Sequence, residues 1–290
     1  MTSNTLYKDY FVPTQSNFIP SKTIILGKYN FINCLPLNLP LEDIPEKIIQ
    51  PVFGVPNVIN KLLYDGIINI GPISSYDYLK NKEKYALLKD ISISSQKTVG
   101  SVILFSNIPL EDLANKTIAV AHTSSTSIRL LNLLIKIKTK QSAKLVTHYY
   151  EQGLQSLLNL FDAILYIGDP ALNATYKENN NNNIIIYDLA EEWYKITNMP
   201  MVFGIWVAYK DWAVKNPEAL EFINHCLSKS KELSFNLLFN DLIENASRSV
   251  NLPNEILVNY YKNQLSYDFS DIQKQALEQF HCQLSENDLL

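Results

Sequence analysis

Five hydroxyl side chains stand in a row at Thr123, Ser124, Ser125, Thr126 and Ser127. They lie between the β-branched run TIAVA (117–121) and the apolar-periodic run IRLLNLLIKIK (128–138), where a strand hands over to a helix. One helix start needs one capping oxygen, and first turns usually carry Asp or Glu to complement the helix dipole. No acidic residue occurs from Thr123 to Leu134. Backbone N–H groups and hydroxyls are therefore left available to an external anion. An ordinary Ser/Thr cap with solvated neighbours explains the same residues without a ligand.

Asp169-Pro170 follows AILYIG and differs in sign. Asp at the cap and Pro in the first turn would satisfy that helix internally and repel a carboxylate, so a ligand hydroxyl is the functional partner to expect at Asp169. Ser74 and Ser75 follow the run IINIGPI, and Asn33 lies in the turn Phe31-Ile32-Asn33-Cys34-Leu35-Pro36. All three fall just past the ends of expected strands, where open α/β sheets bind ligands, and each also suits a turn or cap. Asp188 and Glu191 precede Trp193 with capping-box spacing and read as structural.

Other chemistries are poorly supplied. The four His (122, 148, 225, 281) show no HxxxH spacing, and the three Cys (34, 226, 282) no CxxC, so no metal site is expected. GxSxG is absent, and His122 alone is placed where a base would be useful. The eight Gly are mostly isolated, which argues against a phosphate cradle. Lys+Arg 25 against Asp+Glu 29 gives a net charge of −4, and only Arg129 and Arg248 are arginines. That balance supports no nucleic-acid partner and leaves little for bidentate anion clamps. No apolar run approaches the ~18 residues of a membrane span, the first residues lack a signal-peptide pattern, and scattered Cys suit a reducing cytoplasm.

The elements that must hold these groups alternate. Strands are expected at 23–26, 67–70, 102–105, 117–121, 144–147, 163–167, 184–187 and 201–209, with helices at 55–63, 127–138, 152–159 and, after Pro217, at 218–238, 241–251, 254–262 and 271–281. Extended segments near 101–106 and 202–209 flank the middle block as two crossover strands would. The expected division is an N-terminal arm at 1–22 outside the core, a discontinuous lobe one of 23–104 with 206–290, and lobe two at 105–205, an α/β architecture with a ligand cleft between the lobes.

Read together, LGKYNFINCLPL (26–37), DGIINIGPISSYDYL (65–79), VGSVILFSNIPLEDL (99–113), TIAVAHTSSTSIRLL (117–131), AILYIGDPAL (163–172) and YDLAEEWYKITNMPMVFGIWVA (187–208) resemble the menaquinone-biosynthesis family of the futalosine pathway, on its chorismate dehydratase branch. The resemblance implies a type 2 periplasmic-binding-protein-like fold. It also implies dehydration of chorismate, a small-molecule substrate, to 3-[(1-carboxyvinyl)oxy]benzoate without metal or organic cofactor. It places catalytic roles on Asn33 and Ser101, and substrate contacts are then expected from Ser74, Ser75, Ser124, Ser125, Thr126, Ser127 and Asp169. Phe31 stands where the family usually has Tyr, Asn198 where it has Gly, and Gly204 where it has Ala. A small-carboxylate-binding protein of the same fold and the sister dihydroxynaphthoate synthase are the alternatives. The sequence leaves the oligomeric state open.

Overall fold

The computed structural model describes Phe11, 20–121, 124–148, 153–178 and 183–290. Two compact units emerge. One takes the described residues up to Ile93 with Gly204–Leu257 and Tyr267–Phe269, and the other takes those of Ser94–Phe203 with Val258–Ser266 and Ser270–Leu290.

In the first unit, β1 (Ile24–Lys28) pairs in parallel with β2 (Ile49–Phe53) and β3 (Ile70–Ser74). Short helix α1 (Leu35–Asn38) follows a 3-10 turn at Ile32–Cys34, and α2 (Pro56–Tyr64) returns the chain to β3. Helix α2 buries Ile59 and Leu63, which with Ile24, Leu26, Ile68, Ile70 and Ile73 form this core. Fully burying one such side chain contributes about 1.5–3 kcal/mol. After α3 (Ser75–Lys80) comes β4 (Tyr85–Ser95), in which the chain leaves the unit; it returns within β10 (Val202–Tyr209), antiparallel to β3.

The second unit has a five-stranded sheet in the order β7-β6-β8-β5-β9. These are β5 (Val102–Ser106), β6 (Thr117–Val120), β7 (Lys144–Thr147), β8 (Ala163–Ile167) and β9 (Ile185–Asp188). Strands β6, β7 and β8 are parallel, and β5 is antiparallel to both β8 and β9. Helices α4 (Ser125–Thr139), α5 (Leu154–Leu158), α6 (Asp169–Glu178) and α7 (Leu189–Thr197) connect them. Phe105 and Tyr166, rings 5.6 Å apart, centre a cluster with Leu157 and Ile164. Asn198, one of the departures from the family pattern, caps α7 at φ 53°, a left-handed position that Asn tolerates nearly as Gly does.

The rest of the chain is helical: α8 (Lys210–Lys215), α9 (Pro217–Asn236), α10 (Phe239–Val250), α11 (Asn254–Asn259) and, after β11 (Leu265–Ser266), α12 (Asp271–Glu286). Helix α12 sits with the second unit, where Phe280 meets Trp193 of α7 edge-on at 5.8 Å. Expectations based on chain order group that helix with lobe one. Strands β2 and β4 have no counterpart among the expected elements. β2 contains Pro51 at a sheet edge, the position sheets tolerate, and β4 carries Lys89-Asp90 with a positive φ at Asp90, which breaks the apolar alternation. The first passage between units accordingly falls in β4 and not at 101–106. Phe11, expected outside the core, is fully buried. Among the described residues no helix is long and apolar enough to cross a membrane.

Candidate functional site

Strands β1 and β3 are adjacent and parallel, so the turn holding Asn33 and the handover at Ser74-Ser75 lie at one edge of the first sheet. The Asn33 turn is braced at both ends. Asn38 Nδ2 donates to Tyr29 O at 3.1 Å, Lys28 Nζ donates to Asn38 O at 3.4 Å, and the Tyr267 phenol donates to Asn33 O at 2.8 Å. Burial pulls the Lys28 ammonium down to about 8, against the attraction of Glu42. Asn33 Oδ1 is buried and accepts no hydrogen bond among the described residues. Buried polar atoms are almost always satisfied, so this acceptor is available to a ligand donor.

Ser74 and Ser75 differ. Ser74 caps α3 by accepting the Asp77 N–H at 3.2 Å and donates its own proton to Asp77 Oδ2 at 2.6 Å. Asn60 Nδ2 reaches the same oxygen at 2.6 Å, and Asn60 Oδ1 in turn accepts from the Tyr29 phenol, which Pro72 O shares. Burial first, and then neighbouring Cys34, Asp77 and Tyr85, hold that phenol well above its ordinary value, so it remains a donor. Ser74 therefore has no proton to spare for a ligand. Ser75 Oγ is fully buried without a partner among the described residues. Gly204 of β10 pairs with Ser74 of β3; a Cβ there would meet Ile73 O at 3.5 Å, ordinary contact, so the family's usual Ala would fit.

In the second unit the antiparallel pairing of β5 places its start beside the ends of β8 and β9, and β6 is parallel to β8. Ser101, Ser124–Ser127 and Asp169 thus share one sheet edge. Ser101 is 2% exposed; it accepts from the Tyr260 phenol at 3.0 Å, and its backbone O accepts the Gly168 N–H at 2.7 Å. Ser124 caps α4, accepting the Ser127 N–H at 3.5 Å and donating to Ser127 Oγ at 3.1 Å. Thr126 and Ser127 are buried, Ser125 is half-buried, and the first turn carries no acid. His122 and Thr123 lie outside the described residues.

Asp169 is the first residue of α6 and not its cap. Gly168, at φ 71°, turns the chain, and its carbonyl accepts the Ala171 and Leu172 N–H groups, which displaces the expected capping role by one residue.

Asp188 does more than its spacing announced. Its Oδ1 accepts the Ala190 and Glu191 N–H groups at 2.9 and 3.2 Å, as a cap, while Oδ2 accepts those of Val99 and Gly100 at 2.8 and 2.7 Å. Burial pushes this carboxyl up and the four N–H bonds pull it down, with burial prevailing. The entry to Ser101 is thereby fixed to the start of α7. Gly100 takes φ 67°, and a Cβ at that position would collide with the Gln264 side chain. Among the described residues no group of three or more His, Cys, Asp or Glu is placed to hold a metal ion.

The first unit's edge offers the Asn33 amide and the Ser75 hydroxyl, and the second unit's edge offers hydroxyls and a helix start with no acid in its first turn, which suits an oxygen-rich anion. Over 200 residues the chain is 30% identical to chorismate dehydratase of Thermus thermophilus, covering 64% of this chain and 69% of that protein. Among solved structures, protein AF1704 from Archaeoglobus fulgidus superposes with a TM-score of 0.76 at 17% identity, covering 93% of this chain and 99% of that one. The periplasmic aliphatic sulphonate binding protein SsuA of Escherichia coli follows at 0.66 and 15%, covering 93% and 94%. The fold is that of periplasmic binding proteins. With the sequence model of the family described as Menaquinone biosynthesis matching residues 24–286, the chain belongs to that family.

Proposed function

We propose that the protein dehydrates chorismate to 3-[(1-carboxyvinyl)oxy]benzoate, as a cytoplasmic step of the futalosine route to menaquinone. The observation that carries this reading is the sequence similarity to a chorismate dehydratase over most of the chain, together with the motifs that hold Asn33 and Ser101.

The chemistry asks for little. A ring C–H bond beside the ether oxygen breaks, a C=C bond forms, the neighbouring C–O bond breaks, and the proton and hydroxide leave as one water. Aromatisation drives the reaction. The ring carboxylate, conjugated with the diene, delocalises developing charge, so oriented donors suffice to stabilise an E1cB-like path. The open start of α4, with Ser124 to Ser127, suits one substrate carboxylate, and Ser75 suits the other or the ring hydroxyl. Asn33 and Ser101 orient the reacting edge. No protein base is needed if the enolpyruvyl carboxylate of the substrate removes the proton itself, held in place by Asn33.

Purified protein mixed with chorismate should produce new aromatic absorbance. Asn33→Ala and Ser101→Ala should each lose roughly 10²–10³ in kcat, the scale of a lost transition-state donor. His122→Ala should stay near wild type; abolished turnover in that variant alone, with binding intact, establishes a histidine base instead. Binding without product supports the second reading, a small-carboxylate-binding protein that keeps the fold without the chemistry.

A further inference from the structure

Residues Tyr260–Gln264 form a π-helical turn directly after α11. Such turns interrupt regular hydrogen bonding and recur at functional sites. This one is packed against the entry to β5 at three points. Tyr260, fully buried, sits 3.0 Å from Ser101 Oγ; Gln264 lies against Gly100; and the Gln264 carbonyl accepts the Gln96 N–H at 3.2 Å.

A serine hydroxyl has one proton and two lone pairs. The phenol is the more acidic hydroxyl of this pair, so Tyr260 donates and Ser101 accepts. The Ser101 proton then points to Val99 O at 3.4 Å, near the outer limit of a hydrogen bond. That bond is cheap to exchange for a better acceptor. With the phenol filling one lone pair, Ser101 is both fixed in rotamer and polarised as a donor.

We propose that Tyr260 is a positioning residue of the dehydration: its phenol orients the Ser101 hydroxyl so that the serine proton is presented to a substrate oxygen. The role rests on the reading of Ser101 as a group at the reacting edge.

The test compares wild type, Tyr260→Phe, Ser101→Ala and the double variant in chorismate turnover. Tyr260→Phe should lower kcat about tenfold, as expected for one lost hydrogen bond of about 1.4 kcal/mol, and leave KM within about twofold. In the Ser101→Ala background the same change should cost nothing further, because the two groups act as one. A Tyr260→Phe enzyme with wild-type kcat, or an equal loss in both backgrounds, overturns the role. Absence of turnover in wild type overturns the functional reading, and this role with it. Should the Tyr260→Phe variant not fold, 3-fluorotyrosine at position 260 keeps the ring and makes a stronger donor; unchanged kcat there also overturns the role.

Discussion

Three of the polar-capped helix starts in this molecule are finished in two different ways. At α3, Ser74 caps and Asp77, three residues on, takes the serine proton. At α7, Asp188 is the cap and gathers four backbone N–H groups. At α4, Ser124 caps in the same geometry, but the residue three positions on is Ser127, and no acid enters the first turn. The first two starts are closed by a carboxylate from the chain; the third has the same shape and no carboxylate. Hydroxyls alone therefore do not mark an anion site. What distinguishes α4 is the missing negative charge at the third helical position, since that charge would occupy the positive end of the helix dipole.

The largest expected effect comes from breaking a closed start. Asp188→Asn keeps the size but turns an amide toward backbone donors, leaving N–H groups unpaired. A loss of about 2–3 kcal/mol in unfolding free energy is expected, read by urea denaturation of the second unit's signal. Asp77→Ala strips Asn60 and Ser74 of their shared acceptor and should cost about 1–2 kcal/mol, measured the same way. The sharpest contrast is the smallest in energy: Ser127→Asp gives α4 the pattern of α3. KM for chorismate should rise about tenfold, equivalent to about 1.4 kcal/mol, with kcat far less affected. An unchanged KM would mean that α4 holds no substrate carboxylate.

Legibility in the sequence followed the range of the interactions. The handover at Ser124, the β6-α4 unit and the apolar run of β10 are local, and spacing alone located them; the strand expected at 67–70 meets β3 only at Ile70, and the helix that Ser74 caps was not among the expected elements. Asp188 was legible as a cap because that contact spans two or three residues. Its hold on Val99 and Gly100 was not, because it depends on β9 pairing with β5. Tyr260 gave no signal: nothing near it in the chain shows that Ser101 will lie against its phenol. Strand β4 was hidden for a different reason, since its polar Lys89-Asp90 pair interrupts the period that betrays a strand. Placement of α12 likewise depends on Trp193 and Phe280 meeting through the fold.

Gly100 has a consequence for anyone who would transplant this site. The left-handed turn that presents Ser101 is filled from outside by Gln264, so the two positions form a plug and socket contributed by distant parts of the gene. A graft that carried the motif 99–113 alone would leave the socket open. A library that diversified position 264 toward bulkier side chains would press on a turn that has no Cβ to spare. A graft of this one turn therefore has to bring the segment around Gln264 with it, along with Asp188, which holds the Val99 and Gly100 N–H groups.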